Sequence, residues 1–186
     1  MVSRNTKKLV YCSLIAATYA ALTMLLHPIS YGAIQLRVSE ALCILPFFFS
    51  PSAWALFVGC AIANILSSAG VLDVAVGSIA TLLAGLCTAA IGRKYRKKTN
   101  VGKISEKPGW GWCIAACAMP VIFNGPFVGA ELAYLFPLEG GFRTSFLLFG
   151  AQVAVGEAIV MFGLALPLMR FILKNERAYD FFYALN

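Results

Sequence analysis

Hydrophobic residues in this chain form long continuous runs, without the alternation of half-buried strands or the one-sided pattern of soluble helices. Polar, glycine and proline residues separate six such runs, at residues 9–26, 37–49, 52–68, 72–92, 109–132 and 145–173. A helix needs about 20 apolar residues to span a bilayer. The pattern therefore predicts an all-α, polytopic integral membrane protein with six transmembrane helices in a single domain, residues 1–186.

Composition and the placement of basic residues support this topology. Hydrophobic residues make up 60% of the chain and charged residues 12%, whereas soluble domains are about 45–50% apolar. With the N-terminus inside, only Arg37 and Arg143 of the 15 lysines and arginines lie outside, as the positive-inside rule requires. Both termini are therefore predicted to be cytoplasmic. The net charge of +7 is interpreted as topological and not as a nucleic-acid surface.

The second hydrophobic run is short and opens with two charges. From Val38 onwards it supplies only about 18 Å of helix, too little to cross the membrane squarely. Arg37 and Glu40 lie three residues apart, so on a helix they share a face. A charge at bilayer depth costs at least about 2.5 kcal/mol and normally faces a cavity or a partner. The run either begins earlier, near Gln35, or is a partial span packed inside the bundle.

Polar and aromatic residues inside or beside the runs are the candidate substrate-binding groups. Most of them are predicted to lie near the outer ends of their helices, where a solute would enter. The candidates are Tyr31, Arg37, Glu40, Asn64, Asp73, Asn124, Phe127, Glu131, Gln152 and Glu157. The rings of Tyr31 and Phe127 are candidates to stack on a planar ligand.

Purely structural roles are open for several of these residues. Arg37 and Glu40 would then pair with each other and fix the outer loop. Asp73 would stabilise a helix N-terminus, and Asn64 would bridge two helices. Glu157 is predicted to lie about 18 Å deep, where a carboxylate must be paired or neutral. That requirement fits a ligand contact and a brace between helices equally well.

The sequence Asn124-Gly125-Pro126 predicts an interruption of the fifth run. Proline removes a backbone donor and glycine permits non-helical backbone. Unwound backbone at membrane depth is tolerated where it is buried in protein or lines a cavity; a simple kink is the alternative. Asn124 and Glu131 are seven residues apart, which places them on nearly the same helix face.

Small residues in the first run predict a surface that another helix can approach closely. Ala16 and Ala20 are four residues apart, and so are Ala17 and Ala21. This spacing puts each pair on one strip of a helix. The four alanines are the candidate partner-docking residues.

Motifs for catalysis, nucleotide binding and metal binding are missing from the sequence. It contains no G-x-x-x-x-G-K-[ST] loop, no H-E-x-x-H and no G-x-S-x-G. The six cysteines all lie in apolar runs, where cysteine behaves as a small hydrophobe. The sequence therefore favours binding and translocation over an enzyme, with no cofactor and no metal. Transport driven by ATP would need another subunit.

Several stretches resemble the QueT family of substrate-binding S components of energy-coupling factor (ECF) transporters. The most specific is Gln35-Leu36-Arg37-Val38-Ser39-Glu40-Ala41-Leu42, followed by Leu45-Pro46-Phe47-Phe48. Residues 59–64 and 73–82, Asn124-Gly125 and Glu131 add to the similarity, which covers roughly residues 9–173. The resemblance implies an S-component-like bundle in the cytoplasmic membrane of a prokaryotic cell.

The resemblance also implies a substrate and a partner. The substrate would be a queuosine precursor, a 7-deazaguanine base such as queuine or its aminomethyl or cyano relatives, bound from outside. The loaded protein would dock, through the alanine pairs, on a transmembrane coupling protein that carries two ATPase subunits. Glu131 and Glu40 are then candidate acceptors for the base, Asn124 is a candidate donor, and the loop carrying Tyr31 would close the pocket. The alternatives are an S component for another planar vitamin, of flavin or thiamine type, and an autonomous small-solute channel.

Overall fold

A computed structural model describes residues 3–30, 36–67, 69–98 and 108–185. Within these ranges every regular element is a helix, which confirms the all-α prediction. Four helices are long and apolar enough to cross a membrane. They are α1 (Arg4–Leu25), α5 (Val71–Lys98), α6 (Trp110–Leu135) and the continuous stretch Gly141–Lys174. The last of these consists of α7 (Gly141–Val160), a π-helix (Met161–Ala165) and α8 (Leu166–Lys174).

The remaining described elements are short. They are α2 (His27–Ser30), a 3₁₀ helix (Val38–Ile44), α3 (Leu45–Phe48), α4 (Ser52–Asn64) and α9 (Glu176–Leu185). Two of the six predicted spans therefore correspond to short apolar helices, within Val38–Phe48 and Ser52–Asn64. At 1.5 Å per residue, α4 extends only about 20 Å. Among the described residues, four helices are long enough for a full span, and the count of six stays a prediction.

The second hydrophobic run forms an interior segment, Val38–Phe48, which we call the central segment. It is a 3₁₀ helix followed by one short α-helix, with Pro46 in the first turn of that helix, where a missing N–H is tolerated. Helices α1, α4, α5, α6 and α7 and the π-helix all pack against it. Cys43, Ile44 and Phe47 are completely or almost completely buried. The run is thus a partial span inside the bundle, one of the two forms that its length allowed.

Helix α6 continues without a break through its two prolines. The predicted interruption at Asn124-Gly125-Pro126 is wrong, because residues Trp110–Leu135 form one α-helix. Neighbouring helices can re-satisfy the backbone groups that proline releases. Gly125 instead gives room for α7, since a Cβ at this position would lie 3.1 Å from the Cβ of Ala154. The departure from α geometry falls in the next span, at the π-helix Met161–Ala165.

The alanine pairs of α1 differ in their exposure. Ala16 and Ala20 are only 7% and 6% exposed, whereas Ala17 and Ala21 lie on the outer surface of the helix. At the crossing of α1 and α4, a Cβ on Gly59 would lie 2.7 Å from the carbonyl oxygen of Ala16. Close packing within the protein already uses Ala16 and Ala20, and the docking surface on α1 stays a prediction.

The predicted cytoplasmic end of the bundle is closed by aromatic and basic contacts. Helix α9 packs on α1 and α3, where the ring of Phe181 meets Tyr11 at 5.2 Å and that of Phe182 meets Phe48 at 5.8 Å. Arg170 of α8 lies 4.5 Å above the Trp110 ring and donates to the carbonyl of Pro108 at 2.9 Å. These contacts fix the inner ends of α6 and α8 to each other.

Replacing Gly129 with alanine tests the contact between α6 and α7. An added Cβ would overlap the Cα of Gly150 on α7, and overpacking of this kind typically costs about 1–3 kcal/mol. We expect thermal unfolding in detergent to begin several degrees lower. Gly111→Ala is the control, because nothing lies within 4 Å of a Cβ at that position of the same helix. Equal stability of the two variants would contradict the close crossing.

Candidate functional site

Buried charged and amide side chains from five elements converge inside the bundle. The central segment and the residue before it supply two, α4 and α5 one each, α6 two and α7 one. We call this group the polar centre; it consists of Arg37, Glu40, Asn64, Asp73, Asn124, Glu131 and Glu157. All seven are sequence candidates. Their roles differ, because some are hydrogen-bonded or ion-paired within the protein and others have oxygens without a described partner.

Arg37 and Asp73 form a buried ion pair between the central segment and α5. The Arg37 Nη2 atom lies 3.3 Å from the Asp73 Oδ2 atom. The Asn64 amide at the end of α4 donates to the backbone carbonyl of Asp73 at 2.8 Å and to its Oδ1 at 3.1 Å. Gly77 makes room for both groups, since a Cβ there would lie 2.6 Å from Asn64 Nδ2 and 2.7 Å from Asp73 Oδ1. Asp73 therefore does more than stabilise a helix N-terminus.

Glu40 is fully buried and its carboxylate is bonded on both oxygens. The Tyr19 hydroxyl of α1 donates to Oε1, and the Cys43 thiol donates to Oε2 at 2.9 Å. Thr81 of α5 adds a longer contact of 3.5 Å to Oε1. Glu40 thus ties the central segment to α1 and α5, which is the geometry of a brace.

Asn124 and Glu157 connect α6 to α7 and leave two acceptors unused. The Asn124 Nδ2 atom donates to Glu157 Oε1 at 2.6 Å. Asn124 Oδ1 and Glu157 Oε2 are buried, and neither has a hydrogen-bond partner among the described residues. Glu157 also lies within electrostatic range of Glu40 and Arg37. Buried polar groups are normally hydrogen-bonded, so each exception indicates a function or a missing partner.

Glu131 has the most exceptional environment in the polar centre. It is 6% exposed, and neither carboxylate oxygen has a hydrogen-bond partner within the described part of the chain. Its side chain lines a cavity of about 560 Å³ that is open to the outside of the bundle between α5, α6 and α7. The walls of this cavity are mostly apolar and aromatic; they include Pro126, Phe127, Tyr134 and Phe142. Glu131 also interacts electrostatically with Asp73 and Arg37, which connects the cavity to the rest of the polar centre.

The other sequence candidates lie in three different places. Phe127 lines the same cavity as Glu131. Gln152 lies on the exposed surface of α7, whereas Glu157 lies on the buried face of the same helix. The two residues point in different directions because a step of five residues turns a helix by about 140°. We therefore leave Gln152 out of the proposed site. Tyr31 lies outside the described residues.

The supporting hydroxyl and thiol groups were not among the sequence candidates. Tyr19 is fully buried, and its hydroxyl donates to the Glu40 carboxylate. Thr23 bonds Ser39 at 2.6 Å beside it. The sequence signal for this pair was that Tyr19 and Thr23 lie one turn apart on α1, and a buried tyrosine hydroxyl usually has a hydrogen-bond partner.

The polar centre has the chemistry of a site for an organic ligand. No group of three or more histidine, cysteine, aspartate or glutamate side chains that could hold a metal ion occurs in residues 3–30, 36–67, 69–98 and 108–185. The unused atoms of Asn124, Glu131 and Glu157 are all acceptors, so they match a ligand with several N–H donors. A cavity with apolar walls and a few polar groups is typical of small-molecule sites.

Helices that are long and apolar enough to cross a membrane surround the polar centre, which defines a multi-pass membrane protein. The sequence matches the family described as QueT transporter over residues 9–174, and the chain belongs to that family. The family resemblance of the sequence motifs is thereby confirmed. A relative, the Queuosine precursor transporter QueT of Lactococcus lactis subsp. cremoris (strain MG1363), is 44% identical over 85 residues. The match covers 45% of this chain and only half of the relative's length. No solved structure matches the chain.

The different bonding of Glu40 and Glu131 predicts opposite effects of the same isosteric change. Glu40→Gln replaces an acceptor by a donor beside the Tyr19 hydroxyl and the Cys43 thiol, so we expect a loss of about 1–3 kcal/mol in stability. Glu131→Gln removes a buried charge without a local partner, so the ligand-free protein should be equally stable or more stable. Thermal unfolding of both ligand-free variants in detergent measures the difference. A large loss for Glu131→Gln would mean that its carboxylate has a structural role.

Proposed function

We propose that this chain is the substrate-binding S component of an ECF-type importer for a queuosine precursor. The precursor would be a 7-deazaguanine base, such as queuine or its aminomethyl or cyano relatives. Family membership and the name of the Lactococcus relative support this class of substrate. The observation that carries the proposal is the set of buried, unused acceptors on Asn124, Glu131 and Glu157.

A 7-deazaguanine complements these acceptors. Its ring edge carries an N–H group beside an exocyclic amine, and one carboxylate can accept from both. The flat ring needs apolar or aromatic surfaces, which Pro126 and Phe127 provide on the cavity wall next to Glu131. The bound base would replace the missing partners of these buried oxygens, so the same bonds would give affinity and specificity.

The bracing residues keep this site in place before the ligand arrives. Glu40 holds the central segment through Tyr19 and Cys43. Arg37 and Asp73 hold the same segment to α5. A site whose polar groups are fixed in advance loses less entropy when it binds a ligand.

Transport driven by ATP would need a partner, because the sequence contains no nucleotide-binding loop. We propose that the partner is a transmembrane coupling protein with two ATPase subunits in the cytoplasmic membrane of a prokaryotic cell. The exposed face of α1 contains Ala17 and Ala21 one turn apart. Small residues at this spacing let a second helix approach closely in lipid. These two alanines are the docking residues that the proposal keeps.

Ligand binding to purified protein tests the proposed site. Glu131→Ala and Asn124→Ala should each weaken binding of 7-aminomethyl-7-deazaguanine by more than about tenfold, because each removes a buried partner of that base. Isothermal titration calorimetry in detergent, without ATP, measures the affinity. Gln152→Ala is the control, because Gln152 is exposed on α7.

Three results would contradict this site or this substrate. Unchanged affinity in both the Glu131 and Asn124 variants would remove the site. Tighter binding of a flavin or thiamine than of any 7-deazaguanine would replace the substrate. Equilibration of the base by the chain alone in liposomes would indicate a channel.

Docking on the coupling protein is tested with bulky residues on α1. The double variant Ala17→Leu and Ala21→Leu should lose co-purification with the coupling protein and keep ligand binding, because both side chains point outwards. Ala16→Leu is the matched comparison; it should destabilise the fold, since Ala16 packs against Gly59 of α4. Normal co-purification of the double variant would exclude this face as the docking surface.

A further inference from the structure

The polar centre contains more buried negative than positive charge. Among the described residues, the buried carboxylates are Glu40, Asp73, Glu131 and Glu157, and the buried cation is Arg37. Residues 31–35, which the structure does not describe, read Tyr-Gly-Ala-Ile-Gln and contain no charged residue. A buried carboxylate without a cation or a hydrogen-bond donor is strongly unfavourable. The excess must therefore be balanced by protons, by hydrogen-bond donors or by a positively charged ligand.

Bonding within the protein accounts for only two of these four carboxylates. Asp73 is paired with Arg37, and Glu40 accepts from the Tyr19 hydroxyl and the Cys43 thiol. Glu157 uses one oxygen on the amide of Asn124 and retains the other. Glu131 has no bond on either oxygen within the described residues. The unassigned negative charge is thus concentrated at Glu131 and, to a smaller extent, at Glu157.

The surroundings of Glu131 suit an ammonium group better than those of Glu157. Glu131 lines the cavity of about 560 Å³, together with the aromatic side chains of Phe127, Tyr134 and Phe142. An organic cation is attracted both by a carboxylate and by the faces of aromatic rings. Glu157 instead offers a single remaining oxygen beside Asn124 Oδ1, which suits the N–H donors of a ring edge.

Distance along α6 relates the two places, since neither Asn124 nor Glu157 is among the residues that line the cavity at Glu131. Asn124 and Glu131 are two helical turns apart, about 10 Å along the axis. This separation is comparable to the length of a bicyclic base with a one-carbon amine arm. A base whose ring edge lies at Asn124 and Glu157 would then extend its amine towards Glu131.

We infer that the polar centre selects positively charged 7-deazaguanines over neutral ones, and that Glu131 is the specificity-determining residue that binds their ammonium group. This inference rests on the proposed function. It distinguishes aminomethyl-type bases, which carry an ammonium group, from cyano-type bases, which do not. The alternative is that Glu131 and Glu157 are protonated and form hydrogen bonds only with the uncharged part of the base.

Titration of two bases into two forms of the full chain tests the inference. The probes are 7-aminomethyl-7-deazaguanine and 7-cyano-7-deazaguanine, measured by calorimetry with detergent-solubilised protein. In the wild-type protein the aminomethyl base should bind about tenfold to hundredfold more tightly, the range of a charge-assisted hydrogen bond. Glu131→Gln should weaken the aminomethyl base by a similar factor and leave the cyano base nearly unchanged, so the preference disappears.

A matched control separates this local contact from a general effect of charge. Glu139→Gln also removes one negative charge, but from the exposed turn between α6 and α7. The Glu139→Gln variant should bind the aminomethyl base and the cyano base with the affinities of the wild-type protein. Thermal unfolding of each variant verifies that a loss of binding is not a loss of folding.

Three other outcomes of the titration would each contradict a specific part of the proposal. Equal binding of the two bases by the wild-type protein, or tighter binding of the cyano base, overturns the charge selection and leaves the proposed function intact. If Glu131→Gln weakens the binding of both bases equally, the assignment of the ammonium group to Glu131 is overturned, because that residue then contacts the ring that both bases share. Failure of both bases to bind the wild-type protein overturns the proposed function and the inference together.

Discussion

The buried ion pair between Arg37 and Asp73 is the interaction on which the arrangement of the polar centre depends. It joins the start of the central segment to the first turn of α5, and Asn64 adds the end of α4. Loss of one partner of such a pair typically costs about 3–5 kcal/mol, because the other charge stays buried without compensation. Glu131 and Glu157 lie within electrostatic range of the same guanidinium. Arg37 therefore acts on three acidic groups of the centre, Asp73, Glu131 and Glu157.

The four buried carboxylates divide into groups that stabilise the fold and groups that are kept in an unfavourable state. Asp73 and Glu40 are bonded to protein partners, so they contribute to the position of the central segment. Glu131 and Glu157 retain oxygens without described partners, which lowers the stability of the ligand-free protein. Functional sites commonly carry such a cost, because groups that wait for a ligand cannot be satisfied by the fold itself.

Sequence patterns predicted the helical class well and the details of close packing poorly. The apolar runs correspond to helices because a chain in lipid must satisfy its own backbone hydrogen bonds. The prolines of α6 misled the prediction, since neighbouring helices tolerate Pro120 and Pro126 inside one continuous helix. The two alanine pairs of α1 have the same spacing, yet only Ala17 and Ala21 remain exposed. Spacing alone does not reveal which strip of a helix already has a neighbour.

The sequence by itself determined that the chain is a helical membrane protein of the QueT transporter family and that a few polar residues lie at bilayer depth. These properties follow from composition, run length and local motifs, which do not depend on how the helices are arranged. Only the tertiary structure decided that Asp73 pairs with Arg37, that Glu40 is a brace, and that Glu131 faces a cavity. The physical reason is that the partner of a buried charge comes from a distant part of the chain; Arg37 and Asp73 are 36 positions apart.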